Sequence, residues 1–173
     1  MSFRRIVTSH ADGDEDGSDV RVFDDKVEMR PVLEGNAHMA PLFSSLGLPA
    51  TNSHHISSSD IDAAASRVNA VALPGGVNAQ VTDVAPNYFI KMHRTYSIDY
   101  NIILAGSVTL ITPTKDGGES RTEVRAGEIV IQRGTLHAWE VGPDGARWCT
   151  VVVAALPVQV EGEGGVLDEV DFK

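Results

Sequence analysis

Residues 91–106 read Lys91-Met-His-Arg-Thr-Tyr-Ser-Ile-Asp-Tyr-Asn-Ile-Ile-Leu-Ala-Gly106, a polar segment that leads directly into a strand-like apolar run. Because a strand turns successive side chains to opposite faces, Asp99 and Asn101 share one face. His93 and Thr95 share a face in the same way if their segment is extended. The stretch therefore predicts strands that bring a histidine and a carboxylate to one region of a sheet.

Residues 127–139, Gly127-Glu-Ile-Val-Ile-Gln-Arg-Gly-Thr-Leu-His-Ala-Trp139, supply a second strand, a glycine turn and another histidine. His137 and Trp139 share a face of the strand that begins there. A charged side chain such as Asp99 is costly inside a protein unless it meets a cation, a metal or a protonated histidine. We therefore expect these polar groups to act together if they are buried.

The two stretches together resemble the paired motifs of the cupin family. The first cupin motif places two histidines one residue apart, then an acidic residue, then six residues and a glycine. His93 matches the first histidine, and Asp99 stands where glutamate is usual. Gly106 follows at the expected interval, whereas Thr95 occupies the place of the second histidine, a metal ligand in the family.

The second cupin motif is matched by Gly127, Gly134 and His137, with Gln132 in place of the usual proline. The resemblance is to a subgroup that reads His-Arg-Thr, Asp-Tyr, Gln-Arg-Gly-Thr and His-Ala-Trp, and it covers about residues 75–155. It implies an all-β fold, the cupin double-stranded β-helix or jelly-roll barrel. It also implies that the faces carrying His93, Asp99 and His137 line the barrel interior.

The pattern from residue 67 onward independently predicts an all-β domain. Apolar runs alternate with turn sequences such as Pro74-Gly-Gly76 and Gly142-Pro-Asp-Gly145. Short strands with this regular punctuation are typical of a sandwich or barrel. The predicted strands here are 67–73, 78–84, 87–92, 98–105, 107–113, 121–125, 128–132, 138–141 and 148–156.

The chain is predicted to have three parts. Residues 1–66 form an N-terminal arm of strands and loop that packs on the barrel or on a partner subunit. Residues 67–158 form the barrel, and residues 159–173 form an acidic C-terminal tail. Within the arm, the sequence predicts strands at 4–9, 20–23 and 26–33, a loop at 34–60 and one helical turn at 60–66.

The acidic turn of the arm matches the opening of a calcium-binding loop at Asp12, Asp14, Asp16 and Gly17. Such a loop ends in a bidentate glutamate, and Phe23 stands at that position. The sequence therefore predicts a solvated turn that binds no calcium tightly.

Composition narrows the classes of partner. The formal net charge of -10 disfavours nucleic acids and anionic membrane surfaces, both of which require clustered basic residues. No apolar run approaches the ~20 residues that span a bilayer, and no signal-like apolar core follows the N-terminus. The single cysteine, Cys149, excludes an intramolecular disulfide. A cytoplasmic protein is the resulting expectation, and the cupin resemblance implies a small-molecule substrate.

The candidate catalytic residues are His93, Asp99 and His137. Two imidazoles and one carboxylate are also the ligand set of non-haem iron sites with open positions. Two alternatives remain: the same three residues hold one divalent metal ion (Fe, Mn, Zn or Ni), or the pocket is metal-free. The candidate substrate-binding residues are Thr95, Asn101, Arg133 and Trp139, of which Arg133 lies in a turn at the barrel rim and suits a carboxylate.

The cupin resemblance implies several activities, since one fold hosts many. The leading hypothesis is a lyase or isomerase of polyketide-like secondary metabolism that decarboxylates, dehydrates or cyclises an enolisable carbonyl or carboxylate compound. The alternatives are a metal-dependent (non-haem iron) dioxygenase and a non-catalytic ligand-binding cupin. A homodimer is expected, because the N-terminal strands would otherwise leave exposed sheet edges.

Overall fold

The computed structural model describes residues 1–12, 18–160 and 165–171. Its helices are the 3-10 turn Leu33–Gly35 and α1, Ser58–Ser66. Its strands are β1 (Ser2–His10), β2 (Val20–Glu28), β3 (Arg30–Val32), β4 (Ala37–Leu46), β5 (Gly76–Val84), β6 (Phe89–His93), β7 (Ser97–Pro113), β8 (Glu119–Arg125), β9 (Ile129–Arg133) and β10 (His137–Ala154).

Two long strands, β7 and β10, each contribute to two sheets. The first half of β7, residues 97–105, pairs with β9 and with residues 146–154 of β10, which also pair with β5. The second half of β7, residues 107–113, pairs with β8 and with residues 138–141 of β10. The start of β10 also pairs with β6. We name the first set, which β4 and β3 extend beyond β5, sheet I and the second set sheet II.

This exchange of two strands between facing sheets is the double-stranded β-helix, so the predicted all-β jelly roll is confirmed. An apolar core lies between the sheets and includes Ile103, Val108, Val124, Trp139 and Trp148. Each such side chain contributes about 1.5–3 kcal/mol when fully buried. The core therefore holds the two sheets together.

The bend in β7 depends on a close approach to β10. Gly106 has φ +73, and a Cβ built on it would lie 2.0 Å from the carbonyl oxygen of Gly145. Gly145 lies in the irregular part of β10 between Val141 and Ala146, where the pairing with β7 shifts register. A side chain at position 106 would force the two strands apart at the point where both change sheets.

The N-terminal hairpin β1–β2 forms a separate two-stranded sheet that packs against β4. Phe3 and Val27 of the hairpin contact a cluster formed by Met29, Ala40 and Val81. Arg5 is 7% exposed and forms ion pairs with Asp25 and Asp62. The hairpin is therefore attached to the barrel by apolar packing and by one mostly buried guanidinium.

The predicted loop at 34–60 is wrong at β4, which pairs with β3 and β5. Pro41 obscured this strand, because proline cannot donate to a sheet ladder. A register shift between Pro41 and Phe43 accommodates it. The helix at 60–66 is confirmed but begins earlier, because Ser57 caps it in a capping box with Asp60.

The predicted strand at 67–73 is also wrong. Backbone N–H and carbonyl groups of this segment form hydrogen bonds with side chains and not with a neighbouring strand. The Asn78 side chain accepts from the N–H of Leu73 and donates to the carbonyl of Val71. Arg30 donates to the carbonyl of Val68. These bonds hold the segment as an irregular connection into β5.

The C-terminal segment packs onto the start of the first motif. Val170 and Arg94 exchange two backbone hydrogen bonds of 2.9 and 3.0 Å. The side chain of Arg94 also donates to the carbonyl of Asp168 at 3.0 Å, and the N–H of Tyr96 donates to Glu169. The described part of the predicted acidic tail therefore crosses residues 94–96.

Two further sequence expectations concern the acidic turn of the arm and membrane-spanning segments. Asp14, Asp16 and Gly17 of the predicted solvated turn lie outside them. Within the part of the chain that the structure describes, no helix is both long and apolar enough to cross a bilayer.

We expect Gly106→Ala to destabilise the barrel by about 2–4 kcal/mol, because the positive φ and the contact with Gly145 both oppose a Cβ. Gly117→Ala is the matched control, since Gly117 has φ +82 but no heavy atom within 4 Å of the position that a Cβ would take. It should cost only about 1–2 kcal/mol. Urea unfolding measures both changes, and equal losses would show that the close approach is unimportant.

Candidate functional site

Two histidines of the two motifs meet inside the barrel. His137 at the start of β10 lies opposite His93 at the end of β6 in the strand register. Their ring centroids are 4.1 Å apart, and the ring planes are tilted by 52°. His93 is 8% exposed and His137 is 3% exposed. We call these two residues the histidine pair.

Backbone carbonyls fix the orientation of both rings. Nδ1 of His93 lies 2.8 Å from the carbonyl oxygen of Lys91, and Nδ1 of His137 lies 2.9 Å from that of Thr135. A carbonyl oxygen can only accept, so each Nδ1 must carry a proton and donate it. In a neutral imidazole the other nitrogen, Nε2, is then an acceptor. The pair therefore offers two acceptor nitrogens suited to a proton or a metal ion.

Burial keeps both rings neutral near pH 7. Burial lowers the pKa of His93. The hydrogen bond to the carbonyl of Lys91 and the charge of Asp171 raise that pKa and so offset part of the effect. Burial and then the neighbouring charge of His93 lower the pKa of His137 to about 4. Two imidazolium ions this close would repel each other in a poorly solvated site. The pair can accept one proton far more readily than two.

Asp99 lies on the inner face of sheet I, between Val152 of β10 and Gln132 of β9. Its side chain is 7% exposed, and its Oδ1 has no hydrogen-bond partner among the described residues. Burial raises the pKa of Asp99 to about 6, and a hydrogen bond from Ser97 acts in the opposite direction. A carboxyl group of this kind exchanges protons close to neutral pH.

The histidine pair belongs to sheet II and Asp99 to sheet I, so they occupy opposite walls of the barrel. Packed sheets are about 10 Å apart. A small molecule placed between the walls could contact the imidazoles on one side and the carboxyl on the other. The cupin resemblance implied that the faces carrying these three residues line the barrel interior, and all three side chains are buried.

Sequence reasoning did not include Gln132 among the site residues. Gln132 is 5% exposed, and its amide nitrogen donates to the hydroxyl of Thr135. Its Oε1 has no hydrogen-bond partner in the described part of the chain. Two features of the sequence could have identified Gln132 as a site residue. It replaces the proline of the family motif, and strand alternation turns it inward when the neighbouring Arg133 points outward.

Two predicted substrate-binding residues are enclosed by other side chains. Asn101 accepts a hydrogen bond of 2.9 Å from Thr150, and the rings of Trp139 and Trp148 are 6.3 Å apart. Together with Ile103 and Val108, these residues leave no volume for a water-sized ligand. Asn101 and Trp139 therefore close this part of the barrel as the structure stands.

The other two, Thr95 and Arg133, border an open groove at the barrel rim. Thr95 is hydrogen-bonded to Ser97, with 2.7 Å between the hydroxyl oxygens, and Arg133 is exposed. The groove has a volume of about 150 Å³ and is bounded by residues 94–98, Arg133, Gly134, Ala155, Leu156, Val158 and Leu167. We call it the rim groove. Two of its lining residues are close in the chain to the histidine pair: Thr95 follows His93 by two residues, and Gly134 precedes His137 by three.

The donor set partly fits a metal ion. Metal-binding histidines typically donate their second ring nitrogen to a carbonyl or carboxylate, as both members of the pair do. Among the described residues, however, no three His, Cys, Asp or Glu side chains are grouped as a metal site. The pair fits as two ligands, and the predicted third ligand, Asp99, lies on the opposite wall. The three-residue metal site stays a prediction.

Comparisons with known proteins point to fungal biosynthetic clusters. No family model matches the chain. Phomopsin biosynthesis cluster protein C' of Diaporthe leptostromiformis is 39% identical over 100 residues, which are 56% of this chain and 51% of that protein. The cupin-domain-containing oxidoreductase srdD of Neurospora crassa is 30% identical over 150 residues, 81% of this chain and 73% of that protein.

The chain spans about half the length of the phomopsin-cluster relatives that it matches. Among solved structures, a variant of Bacillus subtilis oxalate decarboxylase has a TM-score of 0.49 at 12% identity, over 75% of this chain and 28% of that chain.

We expect Asp99→Asn to be more stable than the wild type at pH 7.5, by on the order of 2 kcal/mol, with the difference vanishing near pH 4. Because the pKa of Asp99 is raised to about 6, its contribution to stability is complete below its ordinary value of 3.8 and is lost as the pH rises through 6. The uncharged asparagine avoids that loss. Urea unfolding from pH 4 to 8 measures the difference.

The exposed Asp144 provides the matched control. Asp144→Asn should change the free energy of unfolding by less than about 0.5 kcal/mol over the same pH range. An Asp99→Asn variant that is less stable than the wild type at every pH would contradict the account of Asp99 as a poorly solvated carboxyl group.

Proposed function

This chain belongs to the cupin superfamily, and from that premise we propose that it is an enzyme of secondary metabolism that acts on a small enolisable carbonyl compound. The names of its relatives support the setting, because they include proteins of the phomopsin and oryzines biosynthesis clusters. The single observation that carries the chemistry is the buried histidine pair, with its two acceptor nitrogens, opposite Asp99.

The proposed reaction begins with removal of a proton from the carbon next to the substrate carbonyl. The C–H bond breaks, an N–H bond forms at Nε2 of His137 or His93, and the electron pair moves toward the carbonyl oxygen. Asp99 in its protonated form donates to that oxygen from the opposite wall, which converts the enolate into an enol. Return of the two protons to other atoms completes an isomerisation.

In a dehydration, the enol then expels hydroxide from the next carbon, and the proton held by the imidazole leaves with it as water. In a decarboxylation, the C–C bond to the carboxylate breaks in place of the C–H bond, CO2 leaves, and the electron pair moves to the carbonyl oxygen, to which Asp99 donates. These steps belong to the lyase and isomerase class. The arrangement suits such a reaction, because the acid and the base come from different sheets and can approach a substrate from two sides. A pKa of about 6 lets Asp99 carry a proton in a useful fraction of molecules at neutral pH. The lowered pKa values keep both imidazoles able to accept a proton.

A metal-dependent oxidoreductase, for example a non-haem iron dioxygenase, is the second candidate. The hydrogen bonds from both Nδ1 atoms to carbonyls favour it, and several relatives carry the printed name cupin-domain-containing oxidoreductase. His93 and His137 would hold the ion, with Asp99 as the proposed third ligand. The metal would supply Lewis-acid or redox chemistry when bound. The residues around it would orient the substrate and limit access of water.

We also propose that the protein is a homodimer. The outward face of sheet I carries a row of exposed apolar side chains from β7 and β9: Tyr100, Leu104, Ile129 and Ile131. Tyr100 lies opposite Ile131 in the strand register, so the row is continuous across both strands. Burial of these side chains against a second copy would remove apolar surface from water.

Deuterium exchange tests the proposed reaction and does not require the natural substrate. A panel of β-keto acids and β-diketones is incubated with the protein in D2O, and NMR follows exchange at the carbon between the carbonyls. We expect His137→Gln and His93→Gln to slow the catalysed exchange by about 10²- to 10⁴-fold, because the base is lost. His38→Gln, which removes a histidine of β4, is the matched control.

The same assay separates the two candidates when the protein is treated with a chelator. Exchange that survives complete removal of metal supports the acid–base enzyme. Exchange that disappears and returns on addition of Fe²⁺ or Mn²⁺ supports the metal enzyme. Full exchange activity in both pair variants would reject each of these mechanisms.

Light scattering tests the homodimer. We expect a dimer at micromolar concentration and a monomer for Ile131→Lys, because a buried, unpaired ammonium would oppose the apolar contact. Val22→Lys, at an exposed position of β2, separates this face from the N-terminal hairpin and should leave the dimer intact. A monomeric Val22→Lys beside a dimeric Ile131→Lys would place the contact at the hairpin instead. A monomeric wild-type protein would contradict the proposal.

A further inference from the structure

We propose that the rim groove binds the carboxylate of a small organic acid and that Arg133 is its main anchor. This inference rests on the proposed function, because it names the class of substrate that would reach the histidine pair. The groove is a separate surface feature, however, and its binding property can be measured without any turnover.

The first observation is the charge of the groove. Arg94 and Arg133 both line it, and its described lining contains no carboxylate side chain. This is unusual in a chain with a formal net charge of -10. The side chain of Arg133 forms no hydrogen bond or ion pair with another described residue, so its guanidinium is available to a ligand. A carboxylate can accept two parallel hydrogen bonds from such a group.

The surroundings of Arg94 support the same conclusion. One terminal nitrogen of Arg94 donates to the backbone carbonyl of Asp168, whereas its Nε is buried without a hydrogen-bond partner in the described structure. The nearby carboxylate of Glu169 accepts from the N–H of Tyr96. The contact between Arg94 and Asp168 does not neutralise the positive charge of Arg94, since a backbone carbonyl bears no net charge.

The second observation is the space that Gly134 leaves. Gly134 has φ +60, and a Cβ built there would lie 3.1 Å from Cγ2 of Val158 and 3.7 Å from the carbonyl oxygen of Thr95. A side chain at this position would partly fill the groove. Glycine here therefore keeps the path between Arg133 and Thr95 open.

The size of the groove limits the ligand. A volume of about 150 Å³ holds several water molecules, since about 10–15 Å³ of this kind of volume suffices for one. That space accommodates the acid end of a small molecule. The planar fork of an arginine matches a carboxylate, and Thr95 and Ser97, whose hydroxyl groups are hydrogen-bonded to each other, also line the groove. The remainder of such an acid would extend toward the histidine pair.

The test uses benzoate as the probe and benzamide as its neutral isostere. Both are titrated into the full-length ¹⁵N-labelled protein at constant ionic strength, and the amide signals of Ile98 and Gly134 are followed by NMR. We expect benzoate to shift both signals in a saturable way and benzamide to bind at least about tenfold more weakly, because it lacks the charge.

Arg133→Gln should weaken benzoate binding by about tenfold or more, and Arg133→Lys by less, because lysine keeps the charge but loses the fork. Arg125→Gln is the matched control: it makes the same change in net charge on β8 and should leave the affinity within about twofold. Thermal melts confirm that each variant is folded. Equal binding of benzoate and benzamide, or an unchanged affinity in Arg133→Gln, would overturn the proposal.

The two proposals fail separately. His137→Gln should keep its affinity for benzoate, because the imidazole is not part of the anchor. Retained benzoate binding together with unaffected deuterium exchange in the pair variants would reject the proposed reaction and leave the carboxylate site standing. If His93→Gln and His137→Gln lose the catalysed deuterium exchange but the wild type binds benzoate and benzamide equally well, only the carboxylate site is rejected.

Discussion

The close contact between β7 and β10 at Gly106 and Gly145 determines the rest of this structure. Both strands pass from one sheet to the other at that point, and only a glycine at 106 lets the backbones approach so closely. The first part of β7 then carries Asp99 on sheet I, while the first part of β10 carries His137 on sheet II. One steric requirement therefore places the acidic group and the imidazoles on facing walls.

Burial on these walls has opposite electrostatic effects on the two kinds of group. Loss of solvation favours the neutral form of each, so it raises the pKa of Asp99 and lowers the pKa values of the histidines. Without burial, the carboxyl would be fully ionised at pH 7, and an imidazole would be protonated in part of the population. The barrel thus holds a weak acid and two neutral acceptors in a place from which water is largely excluded.

The departures from the family motif change what the pocket can hold. Thr95 stands where the motif has a second histidine, and its hydroxyl bonds to Ser97 at the edge of the rim groove. Gln132 stands where the motif has proline and presents a buried amide beside Asp99. At position 95 a hydroxyl group replaces a metal ligand, and at position 132 an amide replaces the ring of proline. A hydroxyl and an amide can both form hydrogen bonds with small molecules. They favour a pocket whose chemistry depends on polar side chains as much as on any ion.

The sequence alone predicted most of the β-strands and the turns, because strand alternation and turn residues are local properties. The inward direction of His93, Asp99 and His137 was implied by the resemblance of the two motifs to those of the cupin family. The sequence did not reveal β4, whose proline is tolerated only through a bulge, or the irregular segment at 67–73, whose backbone is satisfied by Asn78. The distribution of the site residues over two sheets was likewise decided by the tertiary structure. So was the rim groove, which is formed by segments as distant in sequence as Thr95 and Leu167. Such features depend on contacts between remote parts of the chain, and a local pattern carries no information about them.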